Sequence, residues 1–200
     1  MAKFHFCTQL TTTPDKEIYV SDLPNEGDFV YQGRTPIRLT EKIGEGGEGT
    51  VYKTNESDNI VAKIYSKKKL TSHKQSKIEK IIAAGLSIDG VCFPMKHLYN
   101  FKGVFVGYLM PKAEGEKLGT SVFHGEKGMT KFFDSWKRSD LVTLAITILS
   151  TIKKIHDLGI LIGDINGLNI LVKSPTEVYF VDTDSFQINE YPCPVGTLDF

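Results

Sequence analysis

Two hundred residues with 40% apolar side chains suit one folded domain or two small lobes, and 24 basic residues balance 24 acidic ones. A formal net charge of zero gives no electrostatic footprint for nucleic acid, which is therefore excluded as a general partner. No apolar run approaches the ~20 residues that span a bilayer, and Met1-Ala2-Lys3-Phe4 leads into polar residues rather than a leader peptide. Cys7, Cys92 and Cys193 show neither close pairing nor metal-ligand spacing, which fits a reducing compartment. The expectation is a soluble cytoplasmic protein with no membrane partner.

Residues 1–38 mix aromatics with Thr, Asp, Pro and Gly, a composition of short strands and turns, with Gly27 and Gly33 as turn positions. Arg38 to Ile43 reads as a strand, Gly44-Glu45-Gly46-Gly47-Glu48-Gly49 follows, and Thr50-Val51-Tyr52-Lys53 reads as a second strand. Glycines let backbone amides approach phosphate oxygens with no Cβ in the way. A dinucleotide-binding fingerprint would need a helix to begin inside the glycine run, and Thr-Val-Tyr are β-formers instead. The run therefore reads as a hairpin lid. Ile60-Val61-Ala62-Lys63-Ile64-Tyr65 next sets a lysine within a short apolar strand, where its ammonium needs an anionic partner. Lys67-Lys68-Lys69 reads as a solvated loop.

Ile78, Ile81 and Ile82 recur at helical spacing over Gln75 to Ala84, with Gly85 as a C-terminal stop. Glu79, the one acid between Lys63 and Asp89, borders that apolar face and is the expected partner of Lys63. Gly103 to Met110 reads as strand and Pro111 to Gly115 as a connector. Residues 119–138 read as a loop and a short helix. Ser139 is the expected N-cap of a long amphipathic helix carrying Leu141, Leu144, Ala145, Ile148, Leu149, Ile152 and Ile155 into the core, ended by Gly159.

Gly163-Asp164-Ile165-Asn166-Gly167-Leu168-Asn169 then places an Asn five residues after an Asp, and Asp182 follows the β-forming run Tyr179-Phe180-Val181. A return from Ile170–Val172 to Val178–Val181 would bring Asn169 and Asp182 to neighbouring strand ends. In phosphoryl transfer one carboxylate orients the attacking hydroxyl, while an amide oxygen and a second carboxylate hold metal on the nucleotide phosphates. Asp and Asn also cap turns, so the stretch takes its meaning from the rest of the chain.

From residue 39 onward the chain resembles a eukaryotic-type protein kinase, through the glycine loop at 44–49 with Val51, Val61-Ala62-Lys63, Glu79, Asp164 with Asn169, and Asp182. The resemblance implies an α+β, protein kinase-like fold. A β-rich N-lobe with one helix would cover 36–112 and a partial helical C-lobe 113–200, with 1–35 as an N-terminal extension. It implies ATP and Mg²⁺ as cofactors, and a protein substrate or regulatory partner. Nucleotide would be held by Ile43, Gly44, Gly46, Gly47, Gly49, Val51, Ala62 and Lys63. Met110 would be the gatekeeper, and the Pro111 carbonyl and Ala113 amide the adenine contacts. Asp164, Lys63 and Glu79 would be the catalytic set, and Asn169 and Asp182 the metal ligands, with Asp184 as runner-up ligand or surface acid. The reaction implied is γ-phosphoryl transfer from ATP to a protein Ser/Thr hydroxyl.

Several departures from the family pattern bear on this reading. Ile162-Gly163-Asp164 stands for His-Arg-Asp, Asn166 stands where Ser/Thr kinases commonly carry Lys, and Asp182-Thr183-Asp184 stands for Asp-Phe-Gly. A Gly-Asp loop also occurs in small-molecule phosphotransferases resembling aminoglycoside and choline kinases, which is one alternative. A pseudokinase or nucleotide-binding regulatory module is another. Gly196-Thr197-Leu198-Asp199-Phe200 resembles the end of an activation segment, in which Thr197 would support Asp164. The Pro-Glu anchor and later helices of the family do not follow, so the chain is expected to be a C-terminally truncated fragment.

Overall fold

A computed structural model describes residues 3–6 and 9–193, and the expectation for Thr197 lies outside them. The chain divides into two compact units. The first unit is Thr12–Leu86 with Phe93–Lys112; the second comprises the described residues among 1–11, 87–92 and 113–200. Among the described residues, no helix is long and apolar enough to cross a membrane.

The first unit is a closed antiparallel barrel. Its strands are β1 (Phe29–Gln32), β2 (Thr35–Glu45), β3 (Gly49–Thr54), β4 (Ile60–Tyr65), β5 (Lys96–Tyr99) and β6 (Phe105–Pro111), in the order β1-β2-β3-β4-β6-β5. The pairing of Tyr31 with Tyr99 closes it. Alternation along β2 buries Ile37 and Leu39 while their neighbours face water, and Val30 lies opposite Ile37 on the inner face. Each such aliphatic side chain contributes about 1.5–3 kcal/mol when fully buried. β4 and β6 are buried along nearly their whole length, as expected of strands covered on both faces. β1 lies within the stretch expected as an N-terminal extension, and it belongs to the barrel. Residues 15–18 are also bound into this unit, where the Ile18 amide donates to the Leu70 carbonyl and the Ser72 amide to the Lys16 carbonyl.

The helix of this unit, α1 (Ser72–Ala84), starts three residues before its expected position. Thr71 is the N-cap and its hydroxyl oxygen accepts from the Lys74 amide at 3.3 Å. Asp15 adds a second acceptor, taking the His73 amide at 2.9 Å. Gly85, at φ 58°, ends the helix as the sequence implies. Ile78 and Ile81 are buried, whereas Glu79 is exposed.

In the second unit, β7 (Glu116–Lys117), β9 (Ile170–Ser174) and β10 (Glu177–Phe180) form a three-stranded sheet. β8 (Ile160–Leu161) pairs with β11 (Gln187–Ile188). The helices are α2 (Glu126–Phe132) and α3 (Arg138–Asp157). The cap of α3 is Lys137 rather than Ser139, and Asp140 turns its carboxylate back to accept the Lys137 amide at 2.6 Å. The expectation of a buried apolar stripe along α3 is met by Leu144 and Ile155 but not by Leu141, Ala145 or Leu149, which are exposed. These three border an open groove of about 370 Å³ whose opposite wall includes Leu118, Phe123 and Ile165. At the other end of α3, Gly159 turns at φ 78°, and a Cβ there would lie 2.1 Å from the Phe4 carbonyl oxygen.

Candidate active site

In the first unit, the glycine run is a tight hairpin between β2 and β3. Gly46 and Gly49 exchange backbone hydrogen bonds at 2.9 and 3.3 Å, leaving Gly47 and Glu48 at the apex. Gly49 is required sterically: a Cβ would lie 2.2 Å from the Ile64 carbonyl oxygen on β4. The Ser66 amide donates to the Glu48 carbonyl at 2.9 Å, tying the apex to the end of β4.

Lys63 sits in β4 opposite Val51 on one side and Tyr108 on the other. It is 5% exposed, and its ammonium lies 5.5 Å from the Tyr65 ring centre and 5.8 Å from that of Tyr108. Within this unit its carboxylate neighbour is Glu48 of the glycine hairpin, 3.8 Å away. The expected Lys63–Glu79 pair does not form. The phase of α1 turns Glu79 outward beside β5, where its charge acts on His97 and Tyr99. Burial lowers the pKa of His97, and Glu79 opposes that shift. The helix instead presents Lys74 to Glu48, at 2.8 Å.

Strand register corrects a second expectation. Residues opposite one another in an antiparallel pair share a face, and successive residues alternate. Val51 opposite Lys63, and Met110 opposite Val61, therefore share one face with Val61 and Lys63. Ala62 points to the other face, so Val61, not Ala62, shares a face with Val51 and Lys63. Gly44 and Ile43 close β2 beside this face, Ile43 being 41% exposed. Met110 is buried and Pro111 ends β6, opposite Ile60; Ala113 is the first residue of the second unit's main segment.

In the second unit, the loop between β8 and β9 is organised by amides. Asn166 and Asn169 each donate a side-chain hydrogen bond to Asp164 Oδ2, both at 2.9 Å. Asn166 Oδ1 accepts the Leu168 amide at 2.8 Å and the Asn169 amide at 3.2 Å. Asn166, unassigned from sequence beyond its departure from the family's Lys, is thus the residue that shapes the loop and helps fix Asp164. Its signal was an Asn with backbone amides two and three residues on, the spacing of an Asx turn. Gly167 lies against Gly119, where a Cβ would come within 2.7 Å of the Gly119 Cα. Gly163 lies against Cys193: a Cβ there would meet both Cβ and Sγ of Cys193 at 2.4 Å. That contact gives a local reason for glycine where the resemblance leads one to expect arginine.

β9 and β10 return as the sequence implies, and the Val181 amide donates to the Asn169 carbonyl at 3.0 Å. Asp182 follows in the left-handed conformation, φ 59°. Its carbonyl accepts the Ser185 hydroxyl at 2.7 Å, and Thr183 is pinned through its hydroxyl to the Cys92 carbonyl at 2.9 Å. Asp184 is 2% exposed, so it is no surface acid. Carboxylate oxygens of Asp182 and Asp184 lie within 4.8 Å of one another. Asn169 spends its Nδ2 on Asp164, which leaves Oδ1 as its remaining donor atom for a cation. An all-oxygen set of this kind suits a hard divalent ion.

No family model matches the chain. Its relatives include protein kinase YegI of Escherichia coli O157:H7, 30% identical over an alignment of 181 residues that covers 87% of this chain and 27% of the relative. Protein kinase YegI of Escherichia coli strain K12 is 29% identical over 169 residues, 81% of this chain and 26% of the relative. The chain spans about a quarter of the length of the curated relatives it matches. Over most of its own length, then, this chain is related in sequence to proteins named as protein kinases.

Proposed function

We propose that the chain carries the ATP-binding and catalytic residues of a protein kinase-like fold that transfers the γ-phosphoryl group of ATP to a protein Ser/Thr hydroxyl. The observation that carries this reading is Asp164, held through one oxygen by two amides in a loop that leads directly to Asn169 and, across a strand pair, to Asp182. The similarity to protein kinase YegI supports it. Asp164 orients the acceptor hydroxyl. Lys63, on the face it shares with Val51, Val61 and Met110, holds the α- and β-phosphates while those apolar side chains pack on the adenine. The glycine hairpin offers backbone amides to the phosphates. Asn169 and Asp182, with Asp184 beside them, would hold Mg²⁺, which neutralises charge on the phosphate oxygens.

Titration of the chain with a fluorescent ATP analogue, with and without Mg²⁺, tests the binding half of this reading. Lys63→Met weakens binding under both conditions, and Asp182→Asn removes the gain that Mg²⁺ confers. Asp164→Asn leaves binding close to wild type but abolishes transfer of γ-phosphate to an acceptor protein. A folded wild-type sample that binds no nucleotide at millimolar concentration refutes the proposal.

A further inference from the structure

The carboxylate of Glu48 is shared. The same oxygen lies 2.8 Å from the Lys74 ammonium and 3.8 Å from that of Lys63. Both ammonium groups also lie against one aromatic ring: Lys74 is 4.7 Å and Lys63 5.5 Å from the centre of Tyr65, itself fully buried. The side chains are 14% and 7% exposed, so both cations are largely withdrawn from water and depend on an anion for compensation. The lysines come from different elements, β4 and the first turn of α1, and the carboxylate from the apex of the glycine hairpin. The Glu48 backbone is held by the Ser66 amide, so only its side chain must rotate for the oxygen to leave.

We propose that Lys63 and Lys74 together form a two-ammonium seat for phosphate, and that Glu48 competes with the phosphate for it. A phosphate oxygen makes the same charge-assisted contacts as a carboxylate oxygen and brings more negative charge. Lys74 is thus a phosphate-binding residue of α1, occupying from the helix the place that the sequence led one to expect of an acid. Glu48 sets the affinity by holding both ammonium groups until phosphate displaces it. This rests on the reading of the glycine hairpin and Lys63 as a nucleotide site.

The test uses sodium tripolyphosphate, ATP and adenosine as probes, without added metal and at fixed ionic strength, in calorimetric titrations of the chain. Lys74→Met weakens tripolyphosphate and ATP by about tenfold or more, the loss of one contact to a charged group, and leaves adenosine unchanged. Lys74→Arg restores most of the loss. Glu48→Gln tightens tripolyphosphate severalfold, a gain that a destabilised variant would not produce. Glu48→Gln binding no tighter than wild type overturns the proposal, as does wild-type affinity in Lys74→Met. Wild-type binding of ATP that is indifferent to both positions overturns this inference alone. A wild type that binds neither ATP nor tripolyphosphate overturns the nucleotide site along with it.

Discussion

Asn166 is the position at which the loop between β8 and β9 is most open to dissection. It makes one donor bond to Asp164 and accepts two backbone amides, from Leu168 and Asn169. A hydrogen bond to a charged group is worth about 1.5–3 kcal/mol and a neutral one about 1. The loop is only half-buried, so water replaces part of what is lost. Asn169 also continues to donate to the same Asp164 oxygen. Asn166→Ala is therefore expected to cost about 1–2 kcal/mol rather than the sum of three bonds. Asn166→Asp keeps the acceptor, and with it the turn, but loses the donor and sets a second carboxylate against Asp164. Like charges raise the folded-state pKa of such a pair. The folded protein then binds more protons than the unfolded chain between the unfolded carboxylate pKa of about 4 and the raised value. Relative to wild type, the Asn166→Asp deficit is largest at pH 7 and shrinks as pH falls toward about 4. Urea unfolding followed by Trp136 reads this directly. It is the chain's one tryptophan, and it lies in the same unit, stacked on Phe133 at 4.2 Å. A loss under about 0.3 kcal/mol in Asn166→Ala, well below one ordinary hydrogen bond, refutes the reasoning. So does an Asn166→Asp deficit that is equal at both ends of the pH range.

Two further predictions concern packing and burial near the loop. Gly163→Ala drives a methyl group into Cys193 and is expected to cost about 1–3 kcal/mol, the usual price of overpacking; Cys193→Gly in the same chain recovers most of it in thermal melts, and no recovery would mean the contact is not the cause. Burial pushes the Cys92 thiol from 9.0 up to about 12. The unfolded chain gives up that proton first, so folding stability attributable to Cys92 is intact below pH ~9 and declines toward pH ~12, by at most ~1.4 kcal/mol per pH unit. Cys92→Ala abolishes that decline in urea titrations across the range, and identical slopes in the two proteins would count against it.

Local chemistry was sufficient for the elements that are stabilised locally. Four glycines between β-forming runs specify a hairpin whatever surrounds it. Gly85 stops α1 because it alone in that stretch adopts the left-handed conformation without strain. The order Asp164, Asn169, Asp182 with an intervening hairpin brings Asn169 and Asp182 to adjacent strand ends, because an antiparallel return of that length leaves few alternatives. Period-two alternation likewise fixes which residues share the face of Lys63, and by that rule Val61 qualifies and Ala62 does not.

What the chain could not specify locally was which carboxylate meets Lys63. Glu79 and Lys74 both lie on α1, and their separation in sequence says which residues share a helix face, not which face turns toward β4. That choice follows from docking α1 through Ile78 and Ile81, with its first turn held by Thr71 and Asp15. It turns Lys74 toward the glycine hairpin and Glu79 to solvent. Asp184 makes the same point from the other unit. An acid four residues past a strand reads as exposed until the turn at Asp182, held by Ser185 and Thr183, carries it into the interior. Sequence determined the elements and the order of the chemical groups, since those depend on neighbours a few residues away. The tertiary structure decided the pairings, since burial and charge compensation are settled between groups that the chain holds far apart.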